Sequence, residues 1–362
     1  LANLIGNINA GGGGVNRNVV VNGAMNVAQR ATSSTGIGAS SGYFTCDRFY
    51  LEASGTAGRL TSTQDSSAPS GFANSLKLDC TTADTSIASG ELLILEHRIE
   101  GQNLQGFAKG TSDAKPFAVS FYVKGNASAT YVAELYDNDN SRAISKTFSV
   151  TTDWTRVELT YPADTTGAFG DDSGSSLVLG IWLHAGSTYT SGTLQTSWGG
   201  ASAGTRAGGI SSFFDSTDRT FFITGVQLEV GQNPTEFEHE PVERTMAKCQ
   251  RYFRHFQSGD SAYMQFFNGF CYNSTTFIGA YPLTPKMRGQ PALGTSGTAS
   301  NYEVLFTNNS VSCSAVPFLD AQSETDTLDI RASVSSGLTA ASGATLRASN
   351  SASSFITLDA EL

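Results

Sequence analysis

Several features that would mark a familiar function are missing from this sequence. Basic residues never cluster beyond Lys248, Arg251 and Arg254, and 32 acidic against 22 basic residues leave a net charge of −10. A nucleic-acid partner needs a basic footprint to neutralise phosphates, so none is expected. No apolar run approaches the ~18 residues that cross a bilayer, so no membrane insertion is expected. The opening LANLIGNINAGGGG has no charged stretch before its few apolar residues, and no secretory signal is read there. Leu rather than Met stands first, which leads us to expect a processed terminus or residues upstream of Leu1. Cysteine is sparse: Cys46, Cys80, Cys249, Cys271 and Cys313 are odd in number, scattered, and never form CxxC. That pattern excludes a zinc ribbon or a redox pair and reads as buried free thiols. Charged residues make up only 15% of the chain, against roughly 25% in ordinary soluble proteins.

What is abundant is glycine, 38 residues, together with Ser, Thr and Asn. These rank low in helix propensity and suit short strands joined by many turns. The fold class expected is all-β. Phe117, Val119, Phe121 and Val123 alternate with polar or small neighbours, as do Tyr131, Ala133 and Leu135, and then Leu177, Leu179, Ile181 and Leu183. Phe222, Thr224, Val226, Leu228 and Val230 continue the period, with the even positions expected inside. Period-two runs bounded by Gly, Asn, Asp and Ser are half-buried antiparallel strands. About ten of them predict a two-sheet jelly-roll sandwich, because one open sheet of that size would leave its core unburied. The expected organisation is a flexible attachment arm at 1–20, a jelly-roll domain at 21–242, a linker helix at 243–256 and a smaller β-sandwich at 257–362. Pro241 signals the helix start, and Met246, Cys249 and Phe253 recur at helical spacing.

Specific wording accompanies this pattern. VNGAMNVAQRATS at 21–33, TCDRFYLE at 45–52 and GVQLEVGQNPTEFEHEPVERTMAKCQRYF at 225–253 occur in that order, and LDAEL closes the chain at 358–362. Together they resemble bacteriophage tail-fibre and related virion adhesin proteins with a β-sandwich of carbohydrate-binding-module type. Met25 stands where an aromatic residue is common in that pattern, and Ala31 replaces the usual Gly. The resemblance implies a non-enzymatic virion protein, exposed on a tail or head fibre and assembled in the bacterial host cytoplasm. It further implies a homotrimer, attachment to other virion proteins through the N-terminal arm, and recognition of a host-surface glycan. A capsid or tail decoration protein using the same fold for protein contacts stays open as the alternative. Asp47 and Arg48, read as neighbours on one strand, are expected to face opposite sides, one entering the domain to cap backbone groups.

Glycan binding calls for flat aromatic faces with amides and carboxylates around them. Trp182 and His184 share one strand face, Tyr189 and Trp198 follow in a Gly/Ser/Thr loop, and Tyr122 and Tyr136 point away from the expected core. These six are the candidate ligand-binding residues; the competing reading is a face covered by loops, the arm or another subunit. The DNDN turn offers Asp137, Asp139 and Asn140 as a candidate Ca²⁺ site, although the spacing lacks the Gly and Glu of an EF-hand and Asx turns often need no ion. No other cofactor is expected. Glu91, Glu96, Glu100 and Asp113 are carboxylates that glycoside hydrolysis would require in pairs, but no GxSxG or comparable catalytic motif accompanies them.

Overall fold

The computed structural model describes residues 16–259 and 262–362, so most of the expected arm, including its GGGG, lies outside the described residues. The chain forms two compact units, 1–245 together with Leu362, and 246–361.

The first unit is a two-sheet antiparallel sandwich. One sheet holds six strands in the order β1 (Ser33–Ile37), β4 (Arg59–Asp65), β5 (Ser75–Thr82), β13 (Thr220–Val230), β7 (Phe117–Gly125) and β10 (Thr155–Tyr161). The other holds seven: β12 (Gly199–Gly200), β9 (Arg142–Val150), β8 (Ala129–Asp137), β11 (Ser175–Ala185), β6 (Leu92–Glu100), β3 (Tyr50–Ser54) and β2 (Gly42–Tyr43). The period-two residues of β7, β8 and β11 meet in one core: Phe117, Phe121, Tyr131, Leu135, Leu179 and Ile181 are all buried there. Removing such apolar area from water is the main force holding the sheets together.

One alternation departs from expectation. In β13 the inward residues are Phe221 and Ile223, then Val226 and Leu228, because the pairing with β7 slips between Thr224 and Gln227. Gly225 supplies the positive φ of +62° at this bulge. The bulge inserts one residue and switches the parity of the strand. Phe222 therefore lies on the outer face, where Trp154 and Lys124 pack on it.

Residues 16–20, expected within the arm, belong to this sandwich. Val19 N donates to Leu228 O (3.0 Å), and Arg17 pairs with buried Glu229 (3.3 Å). Gln227 and Glu229 form a buried polar knot: Gln227 Nε2 and Thr235 N both donate to Glu229 Oε1, and Glu238 N donates to Gln227 Oε1. The Gln-Leu-Glu wording thus pins the N-terminal segment and the 235–238 turn to the closing strand. Asp47 and Arg48 lie in a turn rather than a strand, Arg48 with φ +72°, and both are buried. Asp47 takes the backbone N–H (2.8 Å) and side-chain amide (2.5 Å) of Gln29, and Arg48 Nη2 donates to Arg98 O (2.7 Å). Both residues, not one, enter the domain.

Helix α2, following the single-turn α1 at Ser187–Thr190, spans Val242–Gln250 and ends before the expected 256; Phe253 already begins a strand. The second unit is also β-rich. A three-stranded sheet orders β14 (Phe253–Gln257), β23 (Phe355–Asp359) and β17 (Ala292–Thr295). A seven-stranded sheet orders β19 (Asn309–Ser312), β18 (Tyr302–Phe306), β22 (Gly343–Ala348), β15 (Gln265–Cys271), β16 (Thr276–Pro282), β21 (Thr327–Ser333) and β20 (Phe318–Leu319). Its core gathers Phe266, Phe277, Tyr302, Ile330 and Leu346. All five cysteines are buried, and none is joined in a disulfide.

Candidate functional site

The outer face of the seven-stranded sheet in the first unit gathers several charged side chains beside an aromatic cluster. Because β8, β11 and β6 pair antiparallel, residues of equal parity line up in rows across them. One row runs Val132–Trp182–Ile94, the next Glu134–Gly180–Glu96, and the next Tyr136–Val178–Arg98. Trp182, His184 and Tyr136 therefore share this face, as their spacing predicts. What the spacing does not convey is that the face is divided in two.

Its first half is covered. The segment 186–212 folds back over Trp182, His184, Leu92, Ile94 and Val132, and Tyr189, Leu194, Ala207 and Ile210 close a small apolar cluster with them. Gly186 N donates to Glu91 O (2.9 Å), Ser145 N to Gln195 O (2.8 Å) and Ser211 N to Thr130 O (2.8 Å), so the cover is tied at several points along the sheet. Trp182 is fully buried; its Nε1 donates to Glu134 Oε2 (3.0 Å), and the Tyr189 ring lies 5.2 Å away. His184 is also fully buried, with Nδ1 2.8 Å from Ser212 Oγ and Nε2 3.2 Å from Glu91 Oε2. Burial pushes the His184 imidazole below its ordinary value, against the pull of Glu91 and Asp84. Neither Trp182 nor His184 offers a free ring face to a ligand. This corrects their expected role, and the reason is the cover.

The second half is open. A groove of about 280 Å³ is lined by Glu52, Glu96, Arg98, Glu134, Tyr136, Asn138, Ser175, Val178, Gly180, Arg206 and Leu362, the last grouped with this unit. That volume stands near the lower bound of small-molecule sites. Gly180 forms the floor: it stands in register between Glu134 and Glu96 with no side chain to fill the space. Arg206 forms the wall between the halves. It bonds Glu134 through Nε (2.9 Å) and Nη2 (2.5 Å), and its guanidinium lies 4.6 Å from the Tyr136 ring and 4.9 Å from the Trp182 ring. Arg98 pairs with Glu96 at 2.8 Å and covers the Tyr50 ring at 3.9 Å. Burial, together with the neighbouring Glu52 carboxyl, raises Glu96 to about 8 in spite of Arg98. Glu96 thus keeps its proton near neutral pH, beside the Glu52 carboxyl. Carboxylates, guanidinium groups and Tyr136 converging on a side-chain-free floor can hold a neutral polyhydroxylated ligand by paired donors and acceptors.

The remaining candidates are dispersed. Tyr122 lies on the other sheet, in β7, its ring 5.4 Å from that of Phe72. Trp198 packs half-buried against Phe117 and donates from Nε1 to Pro162 O (2.8 Å). Asp137, far from coordinating Ca²⁺ at an open turn, is fully buried and receives Lys109 Nζ at 2.6 Å. Lys109 is itself buried and also meets Asp164 (3.2 Å) and the Thr166 and Gly167 carbonyls. Asn140 donates to Asp137, and Asp139 Oδ2 accepts from Gly170 N (2.8 Å). An ammonium stands where the cation was expected. Of the carboxylates considered for hydrolysis, Glu100 is buried against Gln102 and Asp113 is exposed, so they do not join Glu96. The reading from sequence missed Glu52, Glu134, Gly180, Arg98 and Arg206. Parity alone places Glu134 and Gly180 beside Trp182, but Arg206 arrives from a segment without any period.

No family model matches the chain, and no curated protein matches it. Among solved structures, a CBM4 structure is similar with TM-score 0.32 and 10% identity, over 58% of this chain and 99% of its own. The enzymatically active domain of tailspike protein 4 from bacteriophage CBA120 gives TM-score 0.31 and 11% identity, over 59% of this chain and 21% of its own. A family 11 carbohydrate-binding module from Clostridium thermocellum, in complex with a β-1,3-1,4-mixed-linked tetrasaccharide, gives 0.27 and 10%, over 57% and 98%. These are distant likenesses of fold and carry no ligand over to this chain.

Proposed function

We propose that this protein is a non-enzymatic virion adhesin that holds a host-surface glycan in the open half of the outer sheet face. The observation that carries the reading is the row Glu134–Gly180–Glu96, a floor without a side chain between two buried carboxylates, flanked by Tyr136, Arg98 and Arg206. Such a groove presents fixed donors and acceptors to hydroxyl groups, with one aromatic ring to meet sugar C–H groups. Its carboxylates serve in binding: Glu134 is engaged by Arg206 and Glu96 by Arg98. The same reading includes a homotrimer. Phe270, Ile278, Arg331 and Phe318 stand in register across four strands of the second unit, with Phe270 44% and Phe318 43% exposed. Two part-exposed phenylalanine rings on either side of Ile278 and the ion-paired Arg331 suit a subunit contact, and three linked sites would raise a weak affinity by avidity.

A glycan array probed with the full chain tests the reading, with light scattering run on the same sample. Binding to a defined set of bacterial surface glycans by a trimer is expected, without oligosaccharide release on prolonged incubation. Release of oligosaccharide would replace adhesin by depolymerase. A silent array with a chain that binds purified virion structural proteins would favour the decoration protein.

A further inference from the structure

The covered half holds a cluster that glycan binding does not use. We propose that Asp84, Glu91 and His184 form a binding site for one divalent transition-metal ion. The three side chains come from separate parts of the chain: the loop after β5, the residue before β6 and the end of β11. All are buried, and one ligand atom from each lies within 4.8 Å of the other two. Ligands at ~2.1 Å from a tetrahedral ion stand roughly 3.4 Å apart, so His184 and Glu91, already at 3.2 Å, need no movement, and Asp84, within 4.8 Å of both, needs a shift of at most about 1.4 Å.

Two further features point to a cation. The first is charge. Asp84 is buried, and its Oδ2 accepts from the Thr56 hydroxyl (2.8 Å) and from Ala57 N (2.7 Å), neither of which carries a charge. Glu91 lies beside it, and among the described residues no Lys or Arg forms an ion pair with either carboxylate. The titratable group beside them is His184, with Nε2 3.2 Å from Glu91 Oε2. Two buried carboxylates without a permanent positive charge are costly, and a divalent ion would balance them. The second feature is orientation. Ser212 Oγ sits 2.8 Å from His184 Nδ1 while accepting from Phe214 N (3.1 Å), which fixes the ring and turns Nε2 toward Glu91. Histidine ligands characteristically have their other nitrogen held in this way. One imidazole with two carboxylates suits Zn²⁺, Mn²⁺ or Fe²⁺ rather than Ca²⁺, which prefers an all-oxygen shell. An ion here would clamp the 83–91 loop to β11 beneath the cover.

The test uses the untagged full chain, stripped with chelator and titrated with Zn²⁺ against a chromophoric competitor, and with Co²⁺ followed by visible absorption. One ion per chain is expected, with a rise in melting temperature. Glu91→Gln and Asp84→Asn, both nearly isosteric, should lower affinity by about two orders of magnitude, and Ser212→Ala by ~10-fold or more. The wild-type stoichiometry needs no variant and so does not depend on their folding. Absence of saturable one-to-one binding would overturn the proposal. So would equal affinity in both carboxylate variants, or a melting temperature that rises on acidification but not on adding Zn²⁺, which would assign the cluster to a proton alone.

Discussion

The two halves of one sheet face, built from the same three strands, have come to opposite ends. Around Trp182 and His184 the face is apolar and buried by segment 186–212; around Glu96, Glu134 and Tyr136 it is polar and open. The difference lies in what each half would cost if treated like the other. Leaving Trp182, Ile94, Leu92 and Val132 in water would expose a continuous apolar patch, and a cover on the other side would take the half-buried Glu52 carboxyl out of water as well as Glu96. Arg206, at the border, serves both: it neutralises Glu134 and lies over the rings of Trp182 and Tyr136.

This contrast can be broken most strongly on the covered side. Trp182→Ala removes the centre of that cluster and should cost about 3–5 kcal/mol in urea unfolding; a loss below 1 kcal/mol would mean that the cover does not depend on this ring. Arg206→Ala comes next, at about 2–3 kcal/mol, because it leaves the Glu134 carboxylate buried without its guanidinium. Arg206→Lys should restore only part of this, since one ammonium cannot reproduce the two-nitrogen contact.

On the open side the effects are smaller and depend on pH. Glu96 is raised in the folded chain to about 8, above its ordinary 4.5. Its contribution is therefore complete at low pH and is lost as pH rises through about 8. Between those limits wild type should lose stability relative to Glu96→Gln, by no more than about 1.4 kcal/mol per pH unit. Parallel curves for the two proteins would show that Glu96 is not raised in the folded chain. The smallest effect belongs to the Asp137 turn. With Lys109 bound to Asp137 at 2.6 Å, millimolar Ca²⁺ should leave the melting temperature of Asp139→Ala and wild type equal, and a wild-type-specific rise would restore Ca²⁺ to that turn.

Much of this face was legible in the sequence, and the limits have physical causes. Period-two spacing places Trp182, His184 and Tyr136 on one side because side chains alternate along a strand whatever its partners. Spacing says nothing about which sheet a strand joins, so Tyr122 was grouped with residues it never meets. It also fails at a bulge: Gly225 reverses the parity of β13, and Phe222 goes outward instead of Phe221. Segment 186–212 has no period because it is tied down by irregular backbone bonds, and so the cover was invisible. Lys109 lies 28 residues from Asp137, and Asp84 lies 100 from His184. No local motif joins such pairs; only the packed sandwich does.

The central claim is that the open half of the face is the binding surface. Its most direct test compares glycan binding by wild type with that of Tyr136→Ala and Gly180→Leu, by affinity electrophoresis in the polysaccharide that the wild type retains. Tyr136→Ala removes the half-buried ring of the groove, and Gly180→Leu fills the floor at a position where its added Cβ meets only the Ile94 methyl, at 3.3 Å. The account predicts that both variants lose retardation by about tenfold or more while Tyr136→Ala unfolds within about 1 kcal/mol of wild type. Retention of both variants equal to wild type, in folded protein, would contradict it.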